Sequence, residues 1–189
     1  MNIQKFQKLA YFGVLISVAL LFIYSLICGS PVYCLETYAE FGYVRVDGFV
    51  YADFASGFNK FNMDVLYYAI AGFVCFALFA IYNQGNRKTY YLSNFIVPII
   101  FLAYSVVVAI KFLPDILYYS STYTACYNSI DFNTVLSFVA KSWLPSSAFT
   151  ITVGIVPVVL LIVVSVAQAA ITVKKFFNQR KATLAKGEE

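Results

Sequence analysis

No histidine occurs among the 189 residues, and charged side chains make up only 12% of them. Without imidazole there is no histidine-based general acid–base catalysis, no phosphohistidine transfer and no histidine ligand for a metal or haem. The chain also lacks a CxxC pair, a phosphate-cradling glycine loop, a GxSxG turn and paired carboxylates on an expected helix. Groups able to carry protons or act as nucleophiles are scarce. The expectation is therefore a non-enzyme with no catalytic residues, no cofactor, no metal site and no nucleic-acid partner.

The missing charge leaves long apolar runs. Uncharged stretches of 27, 22, 22 and 32 residues separate Lys8 from Glu36, Asp64 from Arg87, Lys88 from Lys111 and Lys141 from Lys174. A hydrocarbon core about 30 Å thick is crossed by roughly 20 apolar helical residues. Hydrophobic residues are 61% of the chain, against about 45–50% in soluble domains. The reading is an all-α membrane protein. It is a four-transmembrane-helix bundle forming a single membrane domain over residues 1–189, with spans at Leu9 to Cys28, Val65 to Tyr82, Leu92 to Ile110 and Ala148 to Val173. Lys5 and Lys8 precede the first run in the manner of a secretory signal. The run is too long and lacks a small-x-small cleavage site, so it reads as a retained signal anchor.

Nine of the thirteen basic residues, Lys5, Lys8, Arg87, Lys88, Lys174, Lys175, Arg180, Lys181 and Lys186, fall on one side of these spans. That side is expected to be cytoplasmic, in the plasma membrane, with both termini inside. Seven of the nine acidic residues lie on the other side. The cluster Lys174, Lys175, Arg180 and Lys181 is expected to meet anionic lipid of the inner leaflet. Tyrosines near the expected span ends, among them Tyr11, Tyr24 and Tyr67, suit an interfacial belt.

Close helix contact in lipid relies on small residues. Gly13 with Ser17, Ala71 with Cys75, and Thr150 with Gly154 are the helix-packing candidates. Ser17, Ser105, Thr152, Ser165 and Gln168 are expected to pair between helices, and Pro98 and Pro157 to kink their spans.

The two outer loops, residues 29–64 and 111–147, are expected to form a small cap. Tyr43 to Val46 and Phe49 to Phe54 read as strands joined at Asp47-Gly48, a β-hairpin. Pro114 is expected to break the chain, polar residues to follow to Tyr127, and Ile130 to Trp143 to form a short amphipathic helix. Cys34 and Cys126 fall in separate outer loops and are the disulfide candidate, with Cys28 to Cys34 as the alternative. Cys75 reads as a packing residue.

Four spans with a hairpin in the first outer loop resemble claudin-like tetraspans in outline. Their paired loop tryptophans and closely spaced loop cysteines are missing, and Trp143 stands in the other loop, so no membership follows. The functional expectation is a non-catalytic tetraspan, a structural or accessory subunit that binds other membrane proteins or itself. The alternative is a homo-oligomeric channel or small transporter subunit, its pore lined by hydroxyls.

Overall fold

The structure is a computed structural model that describes residues 3–85, 93–135 and 148–187. It contains α1 (Ile3–Ile27), α2 (Ser30–Glu40), α3 (Tyr51–Gly85), α4 (Ser93–Ser129), a single turn α5 (Phe149–Thr152) and α6 (Ile155–Gly187). No strand occurs among the described residues. Three stretches, Leu9–Glu40, Ile96–Ser129 and Phe149–Lys174, are long and apolar enough to cross a membrane.

The long helices alternate in direction. Gly13 of α1 faces Val164 of α6 while Tyr24 meets Gly154, which sets these two antiparallel. Tyr11 Oη donates to the carbonyl of Phe76, and Cys28 Sγ reaches Asn62 Oδ1 at 3.0 Å, so α3 also runs against α1. Tyr104 Oη donates 2.7 Å to the carbonyl of Tyr68 and joins α4 to α3. The helix α6 lies against both α1 and α4, as α1 lies against both α6 and α3. Buried residues recur every three or four positions along the helices, as in Val14, Val18, Leu21 and Tyr24 or Phe101, Ser105, Val108, Phe112 and Ile116. The opposite faces, such as Leu9, Phe12, Ile16 and Ile23, are exposed and apolar, the pattern of helices whose outer surface meets hydrocarbon.

Three expectations change. Residues Tyr51–Phe54 open α3 instead of forming a return strand, so there is no hairpin. Asp47-Gly48 is still a turn, with Phe49 N–H donating to the Val46 carbonyl at 3.1 Å. Of the two central residues only Gly48 has positive φ, at 74°, and no non-glycine among the described residues does. The primed hairpin turns need positive φ at the first central position, so this turn splays its arms instead of pairing them. Secondly, Pro114 does not break the chain, because α4 passes through both Pro98 and Pro114 to Ser129. A mid-helix proline costs about 3 kcal/mol. Beyond it Ile116, Tyr123 and Cys126 are fully buried, each large apolar side chain contributing roughly 1.5–3 kcal/mol, so packing outweighs the lost bond. Thirdly, the fourth span is interrupted at Val153 and Gly154, and Pro157 sits in the first turn of α6. A first-turn proline gives up an N–H that has no helical partner anyway. Segment 131–135 is not helical; the rest of the expected amphipathic helix, with Trp143, lies outside the described residues.

The interruption is closed from the side. Gly154 N–H and Tyr24 Oη both donate to the Ile151 carbonyl, at 3.3 and 2.9 Å. Tyr24 is thus an interior residue, 2% exposed, and not part of a water-facing belt. Ser120 and Thr152 hydroxyls lie 2.5 Å apart and clasp α5 to α4.

Of the packing candidates, Ser17 is buried against its neighbours and Gly154 lies beneath the Tyr24 ring, where a Cβ would collide. Gly13 has Val164 across from it and Thr150 is half-buried. On α3 the close approach belongs to Gly72, where a Cβ would stand 2.6 Å from Tyr104 Oη and 3.0 Å from Val18. Ala71 is exposed and Cys75 half-buried. Overpacking of this kind costs about 1–3 kcal/mol. Gly72→Ala is therefore expected to lower the thermal unfolding midpoint in detergent, with Ala71→Gly changing it far less.

Candidate functional site

A helical head projects from the end of the bundle opposite the two termini. At 1.5 Å per residue, the 35 residues of α3 and 37 of α4 extend over about 52 and 55 Å, well past a hydrocarbon core of about 30 Å. The uncharged half of α3 begins after Asp64 and that of α4 ends before Lys111. These two residues form an ion pair, Lys111 Nζ to Asp64 Oδ2 at 2.8 Å, each about one-third exposed. The ammonium also sits 4.8 Å from the centroid of the Tyr68 ring. A partly exposed pair contributes up to about 1 kcal/mol; its value here is positional, since it fixes α3 and α4 at the same height where charge begins.

Above the pair, an aromatic seam joins the two helices. Phe54, Phe58 and Phe61 follow the three-four spacing on α3, and Phe112, Ile116, Tyr119 and Tyr123 follow it on α4. Tyr119 is the hub, with ring centroids 5.7, 5.2 and 5.3 Å from Phe54, Phe58 and Phe61. Gly57 makes room for it, since a Cβ there would stand 2.9 Å from Tyr119 Oη. Such pairs contribute about 0.5–1.5 kcal/mol each beyond their burial.

The short helix α2 completes the head. Pro31 lies in its first turn, where proline suits a helix start. It ends in a Schellman motif: Gly42 at φ 70° sends its N–H to the Ala39 carbonyl, and Tyr43 N–H reaches the Tyr38 carbonyl at 2.9 Å. Val32, Leu35 and Tyr38 face inward. Tyr51 Oη donates 3.2 Å to the Val32 carbonyl, and Tyr33 Oη donates 3.0 Å to Asn59 Oδ1. Burial, ahead of the nearby carboxylates Glu36 and Glu40, pushes the Tyr51 phenol up to about 12, so it remains a donor at neutral pH. Arg45 N–H donates 2.9 Å to Ser129 Oγ and ties the connection after α2 to the end of α4. Tyr127 and Tyr38 flank Phe132 at 5.2 and 6.2 Å.

The surface of this head is acidic and aromatic. Glu36 and Glu40, expected in a loop, share one face of α2 four residues apart. Tyr33, Val50, Leu117 and Tyr118 are exposed alongside charged residues. Among the described residues no cluster of three metal-ligating side chains occurs.

No disulfide joins the head. Cys28, Cys34, Cys75 and Cys126 are all free, with Cys28 and Cys126 buried. The Cys28 thiol is engaged by Asn62, and Cys126 is fully enclosed on the α4 seam; the structure gives the expected Cys34–Cys126 bridge no support. At the opposite end, Lys174 is exposed, and Lys175, Arg180 and Lys181 occupy helical positions on the extension of α6. Set against protein-family models, curated proteins and solved structures, the chain matches none of them.

What sequence reasoning missed was the aromatic seam. The three-four spacing of Phe54, Phe58 and Phe61 was available as its signal, hidden by the alternation of the residues just before it. Denatured protein alkylated without reductant is expected to carry four adducts by intact mass; a product two adducts short would reveal a bridge.

Proposed function

We propose that this chain is a non-catalytic four-span membrane protein that serves as a structural or accessory subunit, binding other membrane proteins through its helical head. The fourth span in this reading is the uncharged half of α3, which lies antiparallel to α1 through Tyr11 and Phe76. The observation that carries the proposal is the packed, helical construction of the head. Helices α3 and α4 continue unbroken beyond the ion pair and are packed there by the Tyr119 seam, although the spans need no such extension to cross a bilayer. A preorganised surface lowers the ordering cost of association, and exposed tyrosines beside charges are the residue types that serve as contact anchors. The basic asymmetry supports an inside location for both termini and the tail. It also supports contact of Lys174, Lys175, Arg180 and Lys181 with anionic lipid.

A photocrosslinking residue at Tyr33, Glu36 or Tyr118 is expected to give one discrete heteromeric adduct in native membranes, with none from Val163 on the outer face of α6. Adducts only with a second copy would favour the other reading, a homo-oligomeric pore subunit, which gains support from the buried polar face of α6. For orientation, Lys186→Cys in a variant without native cysteines is expected to escape an impermeant thiol label in intact cells. Asp47→Cys is expected to react; the reverse pattern would invert the topology.

A further inference from the structure

We infer that the face of α6 formed by Ser165, Gln168 and Thr172 binds water inside the bundle, admitted from the end that carries the termini. The starting observation is an exception. The other buried serines of the bundle are satisfied by their own helix: Ser17 donates to the Gly13 carbonyl at 2.8 Å, Ser25 to Phe22 at 2.7 Å and Ser105 to Leu102 at 2.8 Å. Thr172 does the same, donating to the Gln168 carbonyl at 2.9 Å. Ser165, fully buried, and Gln168, 3% exposed, do not follow. Ser165 Oγ and Gln168 Oε1 have no hydrogen-bonding partner among the described residues.

These two residues are three apart on one helix and therefore share a face. That helix packs against α1 and α4 on its buried side. An unpaired polar atom in such surroundings bears its full desolvation penalty, and two adjacent ones call for a common partner. A hard divalent cation takes six to eight oxygens, and only two are unpaired here. Water fits the inventory: it donates to the amide oxygen of Gln168 and exchanges a bond with the Ser165 hydroxyl, and about two to four polar partners suffice to hold it.

The route is set by what lies on either side. Toward the head, Leu161 and Val158 continue the face and are fully enclosed, which closes that direction. Toward the termini, Thr172 is one turn on and 5% exposed, and Lys175 and Gln179 continue the three-four spacing in the sequence. Among the described side chains the polar face thus begins inside the bundle at Ser165 and runs through Gln168 to Thr172, toward the termini.

The test uses the full chain in lipid bilayers. Water-edited solid-state NMR is expected to show magnetisation reaching the Ser165 and Gln168 side chains on the same timescale as Thr172 and well ahead of Leu161 and Val158. Build-up at Ser165 and Gln168 as slow as at Leu161 would overturn the inference. Thermal unfolding supplies a second readout. Ser165→Ala and Gln168→Met are each expected to lower the midpoint by about 2–4 °C, and the double variant to fall no further than the worse single one, because the shared water is lost once. Midpoints that rise, or losses that add, mean dry and independent groups. A change in the wild-type midpoint when sodium and potassium are replaced by choline would assign the face to a cation and sink the water reading.

Discussion

The hydroxyl of Tyr24 meets the carbonyl of Ile151 at the one place where α5 gives way to α6, and the arrangement of the remaining helices depends on that meeting. A broken helix inside a bundle exposes backbone groups that hydrocarbon cannot satisfy. Proline at position 157 and glycine at 154 make the break favourable, and Gly154 lets the tyrosine ring lie directly on the backbone. The side chain that closes the break also pins α1 to α6. With that crossing fixed, Gly13 comes opposite Val164 lower down, and Ser120 reaches Thr152 from the other flank.

Much of this was legible and some of it was not. The three helices long and apolar enough to cross a membrane follow from where charge is absent, a property of the sequence alone, and the asymmetry of lysine and arginine is read in the same way. Helix faces are harder, because a single step along a helix turns the side chain by about 100°. Ala71 and Gly72 are neighbours, both small, and only the positions of Tyr104 and Val18 decide which of them is the contact. The helicity of residues beyond Pro114 could not be read locally either, since it derives from burial against Phe54, Phe58 and Phe61 and not from propensity. The turn at Asp47-Gly48 was a true turn of the wrong hand for a hairpin. The glycine at position 42, by contrast, was a helix stop that the sequence displayed openly and that alternation at Tyr43 to Val46 obscured.

The polar groups divide into two kinds with different physical roles. Ser17, Ser25 and Ser105 fold their hydroxyls back onto their own helices, so they present small, nearly apolar surfaces to their neighbours. They act as spacers. Ser120 with Thr152 and Tyr104 with Tyr68 reach across helices and define which helix lies beside which. The expectation that Ser17 and Ser105 would pair between helices assigned them to the second kind, whereas Tyr11, Tyr24 and Tyr104 fill that role. Long phenolic side chains can span an interhelical gap that a serine cannot.

Helices α3 and α4 are each a single rod running from the termini-bearing end into the head. Neither helix is interrupted by a loop between its apolar half and the head, although Pro114 removes one backbone hydrogen bond from α4 just beyond Lys111. Helices in lipid adjust to local thickness by tilting, and here any change in tilt swings the far ends as levers. The Lys111–Asp64 pair forces both levers to move together. On the proposed four-span reading, bilayer thickness is thereby converted into the attitude of the surface that α2, Tyr118 and Glu36 present, and a thicker or thinner membrane would turn the same residues to a different angle.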